Sequence, residues 1–149
     1  MEKSPTMLYI DSAATGSLYC NTECFDFINP VTEYVQNANS ESIAMIRGIG
    51  TARIQVNTDR GPATIVTENA KYAPTCWNLQ SQSQLKSKGH GFSNLAGEQF
   101  TWVLPNGARV LAEHKHGLYQ VPYIPKGKGN FNLETLAAAL ENTTRAPRR

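Results

Sequence analysis

The pattern of apolar and polar positions along the chain is dominated by short β-like segments separated by turn formers. Met7-Leu8-Tyr9-Ile10 is a continuous apolar run, the mark of a strand covered on both faces, and it stops at Asp11. Ala52-Arg53-Ile54-Gln55-Val56 alternates cleanly, as a half-buried strand does, and Ala63-Thr64-Ile65-Val66 returns after the turn Thr58-Asp59-Arg60-Gly61-Pro62. The strongest hairpin signal is Pro105-Asn106-Gly107, flanked by Phe100–Leu104 and Ala108–Ala112. Gly117–Val121 predicts a last strand. Ser17–Cys20 and Phe25–Ile28 are short apolar patches, the second closed by Asn29-Pro30, and Val31–Val35 restarts the β pattern.

Weaker signals fill the gaps. Asn37–Glu41 reads as a polar loop, and Ser42–Ile46 and Thr51–Val56 as strands joined through Gly48-Ile49-Gly50. Lys71-Tyr72-Ala73-Pro74 reads as an edge segment, because proline donates nothing to a ladder. Asn78–Lys86 reads as one short helix ending near Gly89. Asn132 can cap a C-terminal helix with Leu133, Leu136, Ala137 and Leu140 on one face. Many short strands with close turn signals predict an all-β fold, a compact, closed barrel-like sheet or a sandwich, with one short internal helix and a C-terminal helix.

Composition narrows this only slightly. The 149 residues suit one domain, with 40% apolar and 17% charged positions, so disorder is not expected. A net charge of +2, with basic residues scattered except for the Arg145, Arg148 and Arg149 tail, gives no reason to expect nucleic acid. Cys20, Cys24 and Cys76 form neither a disulfide framework nor a zinc spacing. His90, His114 and His116 lack nameable further ligands, so no metal or other cofactor is expected. No apolar run approaches the ~18 residues of a membrane span, and the N-terminus has no secretory core, so an intracellular, membrane-free protein is expected. Residues 1–6 read as a polar lead-in, 7–124 as the domain, and 125–149 as a Gly/Lys link with a short helix or the start of a further segment.

The candidate chemistry centres on Asp11. A carboxylate ending a buried apolar strand is costly unless solvated, paired or used. Taken alone, Asp11-Ser12 equally suits a turn.

The order of motifs decides between these readings. Leu8-Tyr9-Ile10-Asp11-Ser12-Ala13-Ala14-Thr15 resembles the apolar-apolar-Asp-Ser-Gly-Ala-Ser/Thr signature of retropepsin-like aspartic proteases. Val35-Gln36-Asn37-Ala38-Asn39-Ser40 resembles the flap segment of the copia-type retrotransposon branch, and Ile46-Arg47-Gly48-Ile49-Gly50-Thr51 its following strand. Tyr72-Ala73-Pro74, Asn78-Leu79-Gln80-Ser81-Gln82-Ser83-Gln84-Leu85 and His116-Gly117-Leu118-Tyr119 resemble later motifs of that branch. The resemblance covers roughly residues 7 to 124.

It implies a β-rich protease domain of a Gag-Pol polyprotein that works as a C2 homodimer in the cytoplasm, within a retrotransposon particle. The chain carries one Asp-Ser signature, whereas the chemistry needs two carboxylates sharing a proton, so the second Asp11 would come from another copy. Ser12, Ala13, Ala14 and Thr15 would support the catalytic loop, and Val35 to Ser40 would form the substrate flap, with Gly48 to Gly50 as its rival tip. Leu79, Gln80 and Ser81 would pack under the loop. The substrate would be the chain's own polyprotein. Two positions depart from the pattern: Ala13 replaces a glycine, and Gln80 a large apolar residue. They leave room for a catalytically inactive or domesticated dimerisation or peptide-binding module. An unrelated small β-barrel binding domain, with Asp11 as a turn residue, is the remaining rival.

Overall fold

A computed structural model describes residues 6–12, 14–36, 43–94, 99–115 and 118–138. The call for a polar loop tip at 37–41 and the residues Ala13, His116, Gly117 and Leu140 lie outside them. In chain order the strands are β1 (Met7–Asp11), β2 (Leu18–Tyr19), β3 (Phe25–Gln36), β4 (Ile43–Thr58), β5 (Gly61–Tyr72), β6 (Asn78–Ser81), β7 (Gly91–Asn94), β8 (Gln99–Val103), β9 (Arg109–Lys115), β10 (Leu118–Pro122) and β11 (Ile124–Pro125). A 3-10 turn, Thr22–Cys24, precedes β3, and helix α1 (Gln82–Ser87) follows β6. The fold is all-β, as the pattern predicts.

The strands join in one sheet of order β11-β4-β5-β2-β6-β1-β10-β9-β8-β7, with β3 on β4. Among the described residues the ladder does not close on itself, which corrects the closed barrel. Strand β1 lies inside the sheet, antiparallel to β10 and parallel to β6, with Ile10 opposite Gln80 and Asp11 opposite Ser81. Leu8, Tyr9 and Ile10 are all buried, which is what an unbroken apolar run in a doubly covered strand requires. At ~1.5–3 kcal/mol for each large apolar side chain, this strand anchors the core. Around it pack Tyr19, Phe25, Ile54, Val56, Trp102, Val110 and Val121.

Several element boundaries differ from the sequence reading. Asn29-Pro30 does not end a strand: β3 runs through it, and its register against β4 shifts between Pro30 and Glu33. That shift accommodates the missing proline N–H. Lys71-Tyr72 is no edge, since Tyr72 pairs with Gly48 on one side and Tyr19 on the other. Asn78–Lys86 is not one helix. Its first four residues form β6, and α1 starts after Ser81, whose side chain accepts from Gln84 N–H as the N-cap. The Asn-Gly hairpin is present as predicted, with Gly107 at φ 91° closing the turn between β8 and β9.

Gly48 and Gly50 are not a flap tip. Both lie inside β4, between β3 and β5. A Cβ on Gly50 would stand 1.9 Å from the Phe27 carbonyl oxygen, and one on Gly48 2.2 Å from the Ile28 side chain. Glycine is needed there for close approach of strands rather than for turn geometry.

The Gly/Lys stretch read as a flexible link is tied to the sheet. Main-chain bonds run from Lys126 N–H to Arg53 O, Gly127 N–H to Glu23 O, Gly129 N–H to Phe25 O and Asn130 N–H to Asp26 O. Asp26 secures the same strap through its side chain, accepting from Lys128 N–H at 3.0 Å and from the Arg53 guanidinium, at 2.9 Å from Nη2. Asn132 caps the helical turns at 133–138 through Thr135 N–H, as predicted. Only part of their expected apolar face is used: Leu136 enters the core, whereas Leu133 and Ala137 are exposed.

Two stability tests follow from this packing. Replacing Gly50 with alanine is expected to cost about 1–3 kcal/mol, read as a lower urea midpoint, because rigid backbone lies in the way. The Arg53 hydrogen bonds, and with them Lys128 N–H, hold the Asp26 carboxyl below its ordinary value near 3.8. A lowered native pKa stabilises the fold above that ordinary value, and the stabilisation is lost as pH falls through the native one. Thermal melts between pH 6 and 2 should therefore show a smaller acid decline for Asp26→Asn than for the wild type.

Candidate functional site

Asp11 stands where β1 leaves the core, and it is half-buried while the three residues before it are buried. The chain then turns through exposed Ser12, half-buried Ala14 and exposed Thr15 before re-entering the interior at Ser17. Both ends of this loop are fastened to the same strand. At its entry, the parallel ladder holds Asp11 beside Ser81. At its exit, Leu18 pairs with Leu79.

Between these ends a compact hydroxyl network holds the loop. Ser17 Oγ accepts from Ser81 N–H at 3.0 Å and donates to Gln84 Oε1 at 2.6 Å. Ser81 Oγ donates to the Ala14 carbonyl at 2.7 Å and accepts from Gln84 N–H at 3.2 Å. Ser17 and Ser81 are both fully buried, so each bond replaces water that the groups have lost. Ser17 and Gln84 were not singled out in the sequence. A small hydroxyl residue a few positions beyond an Asp-Ser pair was the only available signal, and it does not reveal a partner 64 residues away.

Leu79 and Ser81 pair with the two ends of the loop, and Gln80 lies between them. Leu79, Gln80 and Ser81 belong to β6, and Gln80 is wholly buried. Its Oε1 accepts from Tyr19 OH at 2.5 Å and from Thr67 Oγ1 at 3.2 Å. Its Nε2 has no hydrogen-bond partner among the described residues. An unpartnered buried N–H costs roughly 1–3 kcal/mol, which the burial of Leu8, Tyr9 and Ile10 on the neighbouring strand outweighs. Burial also pushes the Tyr19 phenol upward, keeping it a neutral donor. A cavity of about 140 Å³ lies between β5 and α1, lined in part by Thr67, Gln80, Gln84, Leu85 and Lys88. A wider groove of about 760 Å³ crosses the β8–β9 face beside Asp59, Arg109 and Leu111. Asp11 lines neither.

The other candidates lie on other elements or outside the described residues. Val35 and Gln36 end β3, paired with Ala44 and Ile43 at the start of β4, so they lead into a hairpin. Asn37, Ala38, Asn39 and Ser40 lie outside the described residues, as does Ala13. Among the described residues no group of His, Cys, Asp and Glu is arranged to hold a metal ion. His90 has a structural partner instead, its Nδ1 accepting from Trp102 Nε1 at 2.8 Å, and burial lowers its pKa. Cys24 is buried against Tyr123, and burial pushes its thiol up to about 12. No helix among the described residues is long and apolar enough to cross a membrane.

Ser81→Ala removes the α1 cap and the Ala14 contact together. It is expected to lower stability by about 1–3 kcal/mol in denaturant titrations, more than either contact alone.

A comparison with protein families places this geometry. The family model described as the Pol polyprotein, beta-barrel domain, matches residues 8–90, from β1 through the end of α1. The match takes in Asp11, its loop, β6 and the Ser17–Ser81–Gln84 network. No curated protein and no solved structure matched the chain. With more than half of its length covered, and with the strands that frame Asp11 inside the match, the chain belongs to the Pol polyprotein beta-barrel domain family.

Proposed function

We propose that the domain is a retropepsin-like aspartic endopeptidase of a copia-type retrotransposon, assembled from two copies and cleaving its own polyprotein inside the cell. The observation that carries this reading is the framing of Asp11. A carboxylate sits at the mouth of a buried strand, on a loop whose two ends are held to one neighbouring strand and whose middle is held by Ser81. A plain turn carboxylate needs no such support, whereas a reacting group gains from a loop held in one geometry.

The mechanism follows from what one carboxylate lacks. Hydrolysis of a peptide bond by this chemistry needs one ionised carboxylate to take a proton from water and one protonated carboxyl to polarise the carbonyl. Two Asp11 side chains meeting on a two-fold axis supply both, because like charges that close cannot both ionise. Their titration then belongs to the pair. Ser12 is exposed beside Asp11; in the dimer it would meet its counterpart across the axis. The β3–β4 hairpin offers main-chain groups for pairing with an extended substrate.

The test is cleavage of peptides from the chain's own polyprotein between pH 4 and 7, with and without an aspartic-protease inhibitor. A bell-shaped pH dependence is expected, with activity lost when both carboxyls are protonated and when both are ionised. Asp11→Asn should lower the rate by ~10³-fold or more while the melting temperature stays near that of the wild type. Full cleavage by that variant would sink the assignment. Wild-type inactivity cured by Ala13→Gly would instead identify an inactive module derived from a protease.

A further inference from the structure

The Asp11 loop enters through a four-residue parallel ladder but leaves through β2, a strand of two residues. So short a strand contributes little pairing of its own. Leu18 faces Lys71 and Leu79, and Tyr19 faces Tyr72. Main-chain bonds from Lys71 N–H to Ser17 O and from Ala73 N–H to Tyr19 O hold β2, and the Gln80 side chain adds to them. Tyr19, on β2, and Thr67, on β5, both donate to Gln80 Oε1, so one buried oxygen joins three strands that are neighbours in the sheet. Gln80 stands one residue before Ser81 and opposite Ile10, so the oxygen sits next to the strand pair that ends in Asp11.

The chemistry of the site explains why an amide occupies a place where the sequence pattern expects an apolar side chain. Tyr19 is fully buried and Thr67 nearly so, and each hydroxyl needs an acceptor. An apolar residue at position 80 would spare the unpartnered Nε2 but take away the oxygen that accepts from both hydroxyls, leaving them only each other. The amide satisfies two donors and leaves one of its own ends unpaired.

We propose that Gln80 is a positioning residue for Asp11, acting through Tyr19 and Thr67 to hold the exit of the 12–17 loop. Its consequence for rate rests on the protease reading given above; its consequence for the loop does not. Loosening the exit at Tyr19 shifts the loop against its anchors at Ser17 and Ser81 and changes the spacing of the two carboxylates. Chemistry then suffers more than substrate binding.

Hydrogen exchange and peptide cleavage on the whole chain test this together, with Gln80→Leu, Tyr19→Phe, their double variant and Gln80→Glu. Amides of residues 12–19 are expected to exchange at least about tenfold faster in Gln80→Leu and Tyr19→Phe, with the β8–β9 hairpin unchanged. The double variant should be no faster than Gln80→Leu alone, because both changes break one bond. Gln80→Glu keeps an acceptor for both hydroxyls. Protection factors across 12–19, taken relative to the wild type at each pH, should therefore stay near wild type while its buried carboxyl is neutral and fall as rising pH buries an uncompensated charge. In cleavage, kcat should fall at least about tenfold in Gln80→Leu with KM held within about twofold, and the bell-shaped profile should shift.

Exchange in 12–19 that stays at the wild-type rate in folded Gln80→Leu overturns the proposal. So does faster exchange spread evenly over the chain, or a melting temperature that drops while kcat and the pH profile stay put. If Gln80→Leu does not fold, Tyr19→Phe, which keeps the amide, carries the same readouts. A wild type without cleavage, but with the local exchange pattern intact, defeats the protease reading and leaves the loop clamp standing.

Discussion

The parallel ladder between β1 and β6 is the constraint on which the rest of the structure depends. Parallel neighbours cannot be joined by a tight turn, so everything from the Asp11 loop to the β5–β6 connection serves as the crossover. That long excursion contains the two longest antiparallel pairings in the chain, β3 with β4 and β4 with β5. It returns at Asn78 to set Ser81 beside Asp11. Strand β10 then covers the other edge of β1, leaving the carboxylate half-buried at the strand's C-terminal end.

The polar interior beside this ladder is unusual and internally consistent. Ser17, Asn78, Gln80 and Ser81 are each fully buried, a concentration of polar groups that an apolar core would avoid. Each has a partner on another segment: Ser17 with Gln84, Asn78 Oδ1 with Cys20 N–H, Gln80 with Tyr19, Ser81 with Ala14. Directional bonds of this kind specify one loop geometry, which close packing of apolar side chains alone does less sharply. The exception is the Gln80 amide nitrogen, and its cost is small against the apolar burial on either side.

A second polar centre is organised around a charge pair. Asp26 and Arg53 bind each other on β3 and β4 while the strap at 126–130 is laid across them by main-chain bonds. Gly127 has no room for a side chain, its Cβ position falling 2.3 Å from the Phe25 carbonyl oxygen. The Lys-Gly-Lys-Gly composition, which in isolation signals a flexible connector, is here the composition that lets backbone lie directly on backbone.

Sequence alone determined the features that depend on neighbours a few residues apart. The apolar run at Leu8–Ile10, the alternation at Ala52–Val56, the Asn-Gly turn and the Asn132 cap are local properties, and each appears where its pattern places it. Asp11 was legible as a candidate for the same reason, since a carboxylate at the end of an apolar strand is anomalous in its own neighbourhood. What only the tertiary structure decided is which distant groups meet. Gly48 and Gly50 carry no local sign that Ile28 and Phe27 press against them, and Gln80 none that two hydroxyls from β2 and β5 converge on its oxygen. Asp11 finds Ser81 across 70 residues of chain only because β6 returns parallel to β1. Periodicity fixes which face a side chain takes within its own strand, whereas strand order and register arise from the competition of whole surfaces for burial, and no short window of sequence contains that competition.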